Sequence, residues 1–550
     1  MSTILRTLIA LTLMIMSTYI WAGIERRPGK DDSTADIKEA AEHVQIKQRP
    51  AAANGVLRRP QQPVAEVRDE RDAGPQHEEH NKDYKFDSKA RRVAFDETVF
   101  KTDPNYDDLS YDYEAQLAIY GGKKAIDAPR PAIEWGYPQY SEGALGSTHS
   151  FFGEKNLGRN QVLAYGDFRN AIAYTDVGGE SNAAIVSRLN LDIDWKITST
   201  ERLHMFVRPL DDGANFTRHE FVGDRQRTKL VDDFDIETLF FEGDIGAILS
   251  GFGDDYARYD LPFAVGRVPL FMQNGIWIEE AFDGFAISTV AKNSPKLDIT
   301  NFDVTFFAGF NDVDTRALLK SNGKRDDRAG NIYGLATFMD VNYGYLEAGW
   351  GYVDDRRKSN GDHSYHNMII GFTKRYFGRI SNSVRFVANF GQKPGAGIAQ
   401  TADGFAVLIE NSLITRKPST LIPYFNLYYG SDNPLPLARN EGLLKNTGIN
   451  FEGDAMGGPT ALDDSANNTY GGAFGLEYLF SLNRQIVVEV ATVQTMGGKR
   501  SKVLGNQYAL QVRFQEPLDL AWIFRADLFH AWNDNARDGS GVRFELRRKF

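Results

Sequence analysis

Among the residues whose chemistry could define a site, this chain offers few arranged for turnover. It has no Gly-x-Ser-x-Gly elbow, no His-Glu-x-x-His pair and no Gly-Lys-Ser/Thr phosphate loop. Of nine histidines, His204 falls on a polar strand face, and His363 and His366 lie beside an acidic loop. A strand histidine without a positioned partner reads as a solvated polar residue rather than a general base. The pairs Asp232/Asp233, Asp326/Asp327 and Asp354/Asp355 lack the spacing of a calcium loop and read as solvated loop charge. His77 and His80 read as part of a polar tail rather than as metal ligands. The expectation is therefore a protein that is not an enzyme and carries no cofactor and no metal. The arginines are more informative. Arg188, Lys196, Arg208, Arg385, Arg513, Arg525, Arg543 and Arg547 occupy the polar faces of alternating segments. Asp192, Asp194, Asp235, Glu237, Asp303, Glu347, Glu477, Glu489 and Asp527 share those faces. A planar guanidinium fork matches carboxylates, and low-dielectric walls focus the field of a charged constriction. Such a ladder favours anionic solutes, including carboxylated sugars. The alternative is that acids and bases pair and hold a wall rigid.

The elements that carry these residues have a period of two. In Leu189-Asn190-Leu191-Asp192-Ile193-Asp194-Trp195-Lys196-Ile197 every odd residue is apolar and every even one polar. The same pattern sets Phe302, Val304, Phe306, Ala308 and Phe310 against Asp303 and Thr305. It recurs around Arg385, around Arg513 and around Arg525. One face of each segment suits an apolar phase and the other suits water. A soluble sandwich also alternates, but here the pattern runs over nearly four hundred residues, with about 18 or 19 segments near the ~10 residues a tilted span requires. The expected fold is all-β: a transmembrane antiparallel β-barrel of 18 strands, with 16 as the alternative, preceded by a disordered N-terminal segment. Asn311 to Asn331, Asp354 to Asp362 and Gly430 to Tyr470 read as long polar loops at one end. Aromatics at Trp350/Tyr352, Tyr428/Tyr429 and Trp522 read as interfacial girdles.

Composition agrees. A mean hydropathy of −0.41 excludes a helical membrane protein, which needs apolar runs of about 20 residues. A net charge of −11 argues against nucleic-acid binding, which needs a basic surface. The absence of cysteine removes disulfides and thiolate metal sites and suits an oxidising periplasm.

Along the chain, residues 1–22 read as a signal peptide: Arg6, an apolar stretch from Leu8 to Trp21, and a small residue at the cut after Ala22. Residues 23–92 are polar and too poor in apolar groups to offset their ordering entropy, so they read as a disordered tail. Residues 93–160 read as a plug, a lead-in or the first strands, and 161–550 as the barrel. The last segment alternates, with Val542, Phe544, Leu546 and Phe550 on one face, and only Arg548 breaks the pattern. A final strand ending on an aromatic resembles the signal read by the outer-membrane assembly machinery. That machinery, outer-membrane lipid and an anionic oligosaccharide or small solute are the expected partners, in a bacterial outer membrane.

The segments Leu239-Phe240-Phe241-Glu242-Gly243-Asp244, Phe263-Ala264-Val265-Gly266-Arg267 and Asn274-Gly275-Ile276-Trp277-Ile278-Glu279-Glu280-Ala281-Phe282-Asp283-Gly284-Phe285 together resemble the barrel core of alginate-export outer-membrane proteins. The resemblance implies a monomeric 18-stranded barrel whose arginine-lined constriction passes a polyuronate, with Arg267 among the lining residues. The rival reading is a general or anion-preferring porin for small-solute uptake. A sealed barrel with an enzymatic or structural role is the third.

Overall fold

The computed structural model describes residues 129–136, 152–153 and 158–550, apart from 213–214, 224, 254–256, 321–325, 327–329, 359–360, 454–455, 457–460, 482 and 498–502. The candidate signal peptide, the polar tail and most of 93–160 lie outside the described residues.

Eighteen strands form the wall. They are β1 (Gly158–Val177), β2 (Glu180–Thr198), β3 (Arg202–Val207 and Asn215–Val222), β4 (Arg225–Lys229 and Ile236–Asp244), β5 (Pro262–Met272) and β6 (Ile278–Ser294). Next come β7 (Ile299–Asn311), β8 (Gly330–Val341), β9 (Gly344–Asp355), β10 (Tyr365–Tyr376), β11 (Ile380–Phe390) and β12 (Asp403–Leu413). The last six are β13 (Leu421–Asn433), β14 (Thr469–Leu479), β15 (Gln485–Thr495), β16 (Gln507–Pro517), β17 (Trp522–Asn533) and β18 (Gly539–Lys549). Each pairs antiparallel with the next, and β18 closes on β1 from Asp167↔Lys549 to Asp176↔Ser540. Gly166 and Phe550 extend that seam by exchanging backbone hydrogen bonds of 2.8 and 3.0 Å. Closure leaves no row of unpaired amides facing lipid, where none would find water.

Two strands are interrupted. The first part of β3 pairs with the end of β2 and the second part with its beginning, while residues 208–212 leave the wall between them. β4 is broken opposite, at residues 230–235. Before β1, the short strand Ile133–Gly136 pairs with Gln161–Ala164, so part of the lead-in joins the sheet.

The connections differ between the two ends. One end has short turns, such as 342–343 and 377–379, and the helix α1 (Ile245–Phe252). The other carries the longer connections from β7 to β8, from β11 to β12 and from β13 to β14. Alternation fixes which side chains meet which phase. Phe306, Leu335, Ile370, Phe386, Phe474 and Phe544 are exposed on the outward face. In water such a belt would aggregate; around a closed barrel it is the lipid-facing band of an outer-membrane protein. Toward the long-loop end His366 joins the aromatic girdle, its ring 5.8 Å from Trp350 and 5.4 Å from Phe390. Arg548, the residue that breaks the last alternation, lies 5.7 Å over the outward Trp522 ring.

The inward face is not uniformly wet. Residues 273–277, part of 312–318 and the described residues of 434–468 fold inside and build a dry core with the inward side chains of β6 to β17. Trp277, Leu437, Leu443 and Phe451 are almost fully buried there. Gly349 and Gly351 on β9 make room for it: a Cβ at 349 would lie 2.5 Å from the Trp277 indole, and one at 351 would lie 2.3 Å from Leu437. Ala438–Arg439 adds a short parallel pairing to Ile278–Glu279. The expected polar outer loop Gly430 to Tyr470 is thus corrected: its strands run to Asn433 and from Thr469, and the described residues between pack inward. Tyr428, expected in a girdle, is 6% exposed and faces the Phe451 ring at 6.1 Å, while Tyr429 points outward.

Candidate functional site

The described residues of segment 434–468 cross the lumen and are held to the wall by inward polar side chains. At its root on one side, Asn367 of β10 accepts the Trp277 indole N–H at 2.7 Å and donates to the Leu435 carbonyl at 2.8 Å. Asn389 of β11 accepts the Leu435 N–H at 2.8 Å. Further along, Glu489 of β15 is fully buried and accepts four donors. These are the N–H groups of Ile449 and Asn450 at 3.0 and 2.9 Å, the Asn450 amide at 2.8 Å and the Tyr424 hydroxyl at 2.5 Å. Gly448 is required beside it, since a Cβ there would stand 2.7 Å from a Glu489 oxygen. Met456 then reaches Ala171, Val186 and Phe216 on the inner face of β1 to β3. Arg439, deep in the segment, has a side chain with no exposed surface and lies 3.2 Å from Glu279. Burial pulls its guanidinium pKa below the ordinary value, and the carboxylates of Glu279, Glu441 and Asp464 oppose that.

The inner wall of β16 to β18 and β1 carries a continuous ionic chain. Asp527 is its hub, 2.7 Å from Arg513, 3.1 Å from Arg525 and 2.6 Å from Arg543. Arg547 joins Glu545 at 2.8 Å to Asp167 at 3.6 Å, and Asp167 also pairs with Arg169. At the other end Arg513 reaches 2.6 Å to Glu452 on the inserted segment. Among the described residues, five guanidiniums (Arg169, Arg513, Arg525, Arg543, Arg547) alternate along this wall with four carboxylates (Asp167, Glu452, Asp527, Glu545). Four of the five keep 14–23% of their side-chain surface open, a thin strip of positive edge along the wall.

The other expected lining residues divide. Arg188 faces inward with Arg208, and both pair with the buried Asp211 of the in-folded residues 208–212. Lys196 shares the inward face toward the short-turn end, opposite Arg202 in register. Arg385 faces inward but is 3% exposed, clamped between Glu410 and Glu347. Arg267 is the exception and corrects the expectation drawn from the Gly-Arg resemblance. In register it stands opposite Leu239 and Asp283, and it shares its face with exposed Val265 and Phe271, so it points outward. The period of two fixes this: a residue of Val265 parity cannot line the lumen.

His204 does lie inward, held by Asp194 at 2.8 Å, which also accepts the Tyr165 hydroxyl at 2.6 Å. No nucleophile accompanies it in these bonds, and it is a tied wall residue rather than a solvated one. Asp355 is likewise tied rather than solvated, accepting the N–H groups of Arg357 and Lys358 at 3.0 and 3.3 Å to cap its turn. No group of three or more candidate metal ligands occurs among the described residues. Glu489 was on the expected lumen face, but its grip on residues 449–450 has no local signal, since the two partners are 39 and 40 residues apart.

No family model and no curated protein matches the chain. Among solved structures, its fold is similar to that of Pseudomonas aeruginosa OccK11 (OpdR), at 10% identity and TM-score 0.45, over 71% of this chain and 96% of that one. Acinetobacter baumannii OccAB4 matches at 8% identity and TM-score 0.45, over 70% and 97%. Escherichia coli Wzi, described as a carbohydrate-binding β-barrel involved in group 1 capsule assembly, matches at 11% identity and TM-score 0.40, over 69% and 84%.

Proposed function

We propose that this chain is an outer-membrane channel for small carboxylated solutes, which pass between the inserted segment 434–468 and the arginine wall of β16 to β18 and β1. The observation that carries the reading is the ionic chain centred on Asp527, with its open positive edge. A preorganised row of N–H forks in a water-poor passage offers a carboxylate successive partners, each too strongly committed to its own acid to trap it. The protein has no bond-breaking role in this reading. It positions charge and limits size.

Small solutes suit the lumen better than a polymer. Segment 434–468 is anchored at Asn367 and Asn389 on one side, at Glu489 further along, and meets β1 to β3 through Met456. A polyuronate passing through needs that segment to leave, whereas a monosaccharide acid needs only the space beside it. The residues that carry the likeness to alginate exporters also serve other ends here. Trp277 and Ile278 root the inserted core, and Arg267 and Asp283 face outward.

Uptake into liposomes tests the reading. With the full-length refolded protein, glucuronate and galacturonate are expected to enter several-fold faster than glucose of nearly equal size, and uronate pentamers to be excluded. Equal entry of glucose and glucuronate overturns the anionic specificity; ready entry of the pentamers overturns the small-solute limit and restores the export reading.

A further inference from the structure

The outward face of β5 to β7 carries charge toward the long-loop end, where other strands carry Phe and Leu. Arg267 lies five residues before the end of β5, in register with Asp283 on β6. Its Nη1 donates to the Ile236 carbonyl at 2.6 Å, its Nη2 to the Asp312 carboxylate, and its Nε stands 3.7 Å from Asp283. A guanidinium has five N–H donors, so these two bonds leave three for another partner. Asp283 accepts from the Asn311 amide at 3.0 Å and keeps 48% of its side-chain surface open. The cost of a charge on the lipid face falls toward the interface, so this height on the wall is where such a group is tolerated.

Below the charges the wall is hollowed. A recess of about 650 Å³ is lined by Leu239, Val265, Phe285 and Phe310 beneath Arg267 and Asp283. Two backbone irregularities shape it. The β6–β7 register slips between Asp283 and Gly284, which leaves Phe310 as a bulge. Gly266 sits at φ +123°, where any Cβ would stand 2.4 Å from the Leu239 carbonyl oxygen. An apolar hollow with a mixed-charge rim on a lipid-facing wall has the form of a lipid site.

We infer that this recess binds a phosphorylated glycolipid of the outer leaflet, of the lipopolysaccharide type. An acyl chain fills the hollow, the phosphate takes the remaining N–H groups of Arg267, and a divalent cation bridges that phosphate to Asp283. Charge supports the cation. Asp283 stands 3.7 Å from Arg267 with about half of its side chain open, so its carboxylate repels a phosphate seated on that guanidinium, and a divalent ion between the two replaces the repulsion with attraction. The inference rests on the barrel lying in an outer membrane with its long loops outward. It does not depend on what the lumen passes.

The test is thermal unfolding of the full-length barrel, refolded in detergent free of lipopolysaccharide and titrated with bisphosphoryl lipid A and magnesium. The midpoint is expected to rise with lipid A and magnesium together and to fall back on chelation. R267Q is expected to weaken binding by about tenfold or more, the loss of one charged hydrogen-bonding group. D283N is expected to bind without regard to magnesium, and R267K to keep part of the affinity. Equal binding of dephosphorylated lipid A, or wild-type affinity in a folded R267Q, overturns the inference. If R267Q does not refold, D283N decides: retained magnesium dependence overturns it. Glucuronate uptake by R267Q is expected to match wild type, so failure here and failure of the channel reading are told apart.

Discussion

Replacing Glu489 with alanine is expected to raise single-channel conductance several-fold while the barrel still folds. Among the described residues, its carboxylate is the one wall group that receives two consecutive backbone N–H groups of the inserted segment, those of Ile449 and Asn450. It also takes the Asn450 amide and the Tyr424 hydroxyl. Hydrogen bonds to a charged group contribute about 1.5–3 kcal/mol each, and a buried donor left without a partner costs about 1–3 kcal/mol. Alanine removes the first and imposes the second, so both push residues 449–451 off the wall toward water. The strand ladder of β15 with β14 and β16 does not depend on the side chain, so closure persists. The roots at Asn367 and Asn389 remain, and the freed part swings on them. Faster proteolysis within 434–468 in the folded barrel should accompany the larger conductance. Wild-type conductance in folded E489A would mean that Glu489 does not hold the passage narrow.

Asp527→Asn is expected to act on charge rather than on width. Three arginines share this carboxylate, and 8% of its side chain is exposed. Neutralising it removes one negative charge from among these guanidiniums and so raises the net positive charge of the wall by one. Removing one partner of a buried ionic cluster typically costs about 3–5 kcal/mol, because the remaining charges stay desolvated. The variant should therefore unfold at lower denaturant concentration and pass anions over cations more strongly than wild type. Arg543→Met is the complementary change: it leaves Glu545, with 1% of its side chain exposed, short of a cation and should lower the anion preference. If D527N folds and its ion preference is unchanged, the Asp527 cluster lies off the conducting path.

Which parts of this molecule were legible in its sequence follows from what periodicity records. Alternation reports which phase a strand residue meets, so the belt around Phe386 and Phe544 and the inward set around Arg385 and Arg513 could be read directly, as could the count of eighteen. The same rule places Arg267 outward beside Val265, and here a short motif pointed the wrong way where parity did not. Alternation says nothing about a third phase inside the barrel. Segment 434–468 carries Leu435, Leu437, Leu443, Leu444 and Phe451 without a period, among Asp, Asn and Gly, and so looked like an outer loop. Its anchors are pairs such as Asn367–Leu435, 68 residues apart, which no local pattern encodes. Charge pairing was equally hidden. Arg513 and Arg525 were both legible as lumenal, but their shared use of Asp527 is a matter of register across β16 and β17.

The most direct test of an anion-preferring passage is the zero-current potential of the wild-type barrel in a planar bilayer under a potassium chloride gradient. The expected sign is that of chloride carrying most of the current, with the current reduced by millimolar glucuronate and untouched by glucose. A potential of the opposite sign, with potassium the favoured ion, would contradict the arginine wall as the selectivity element.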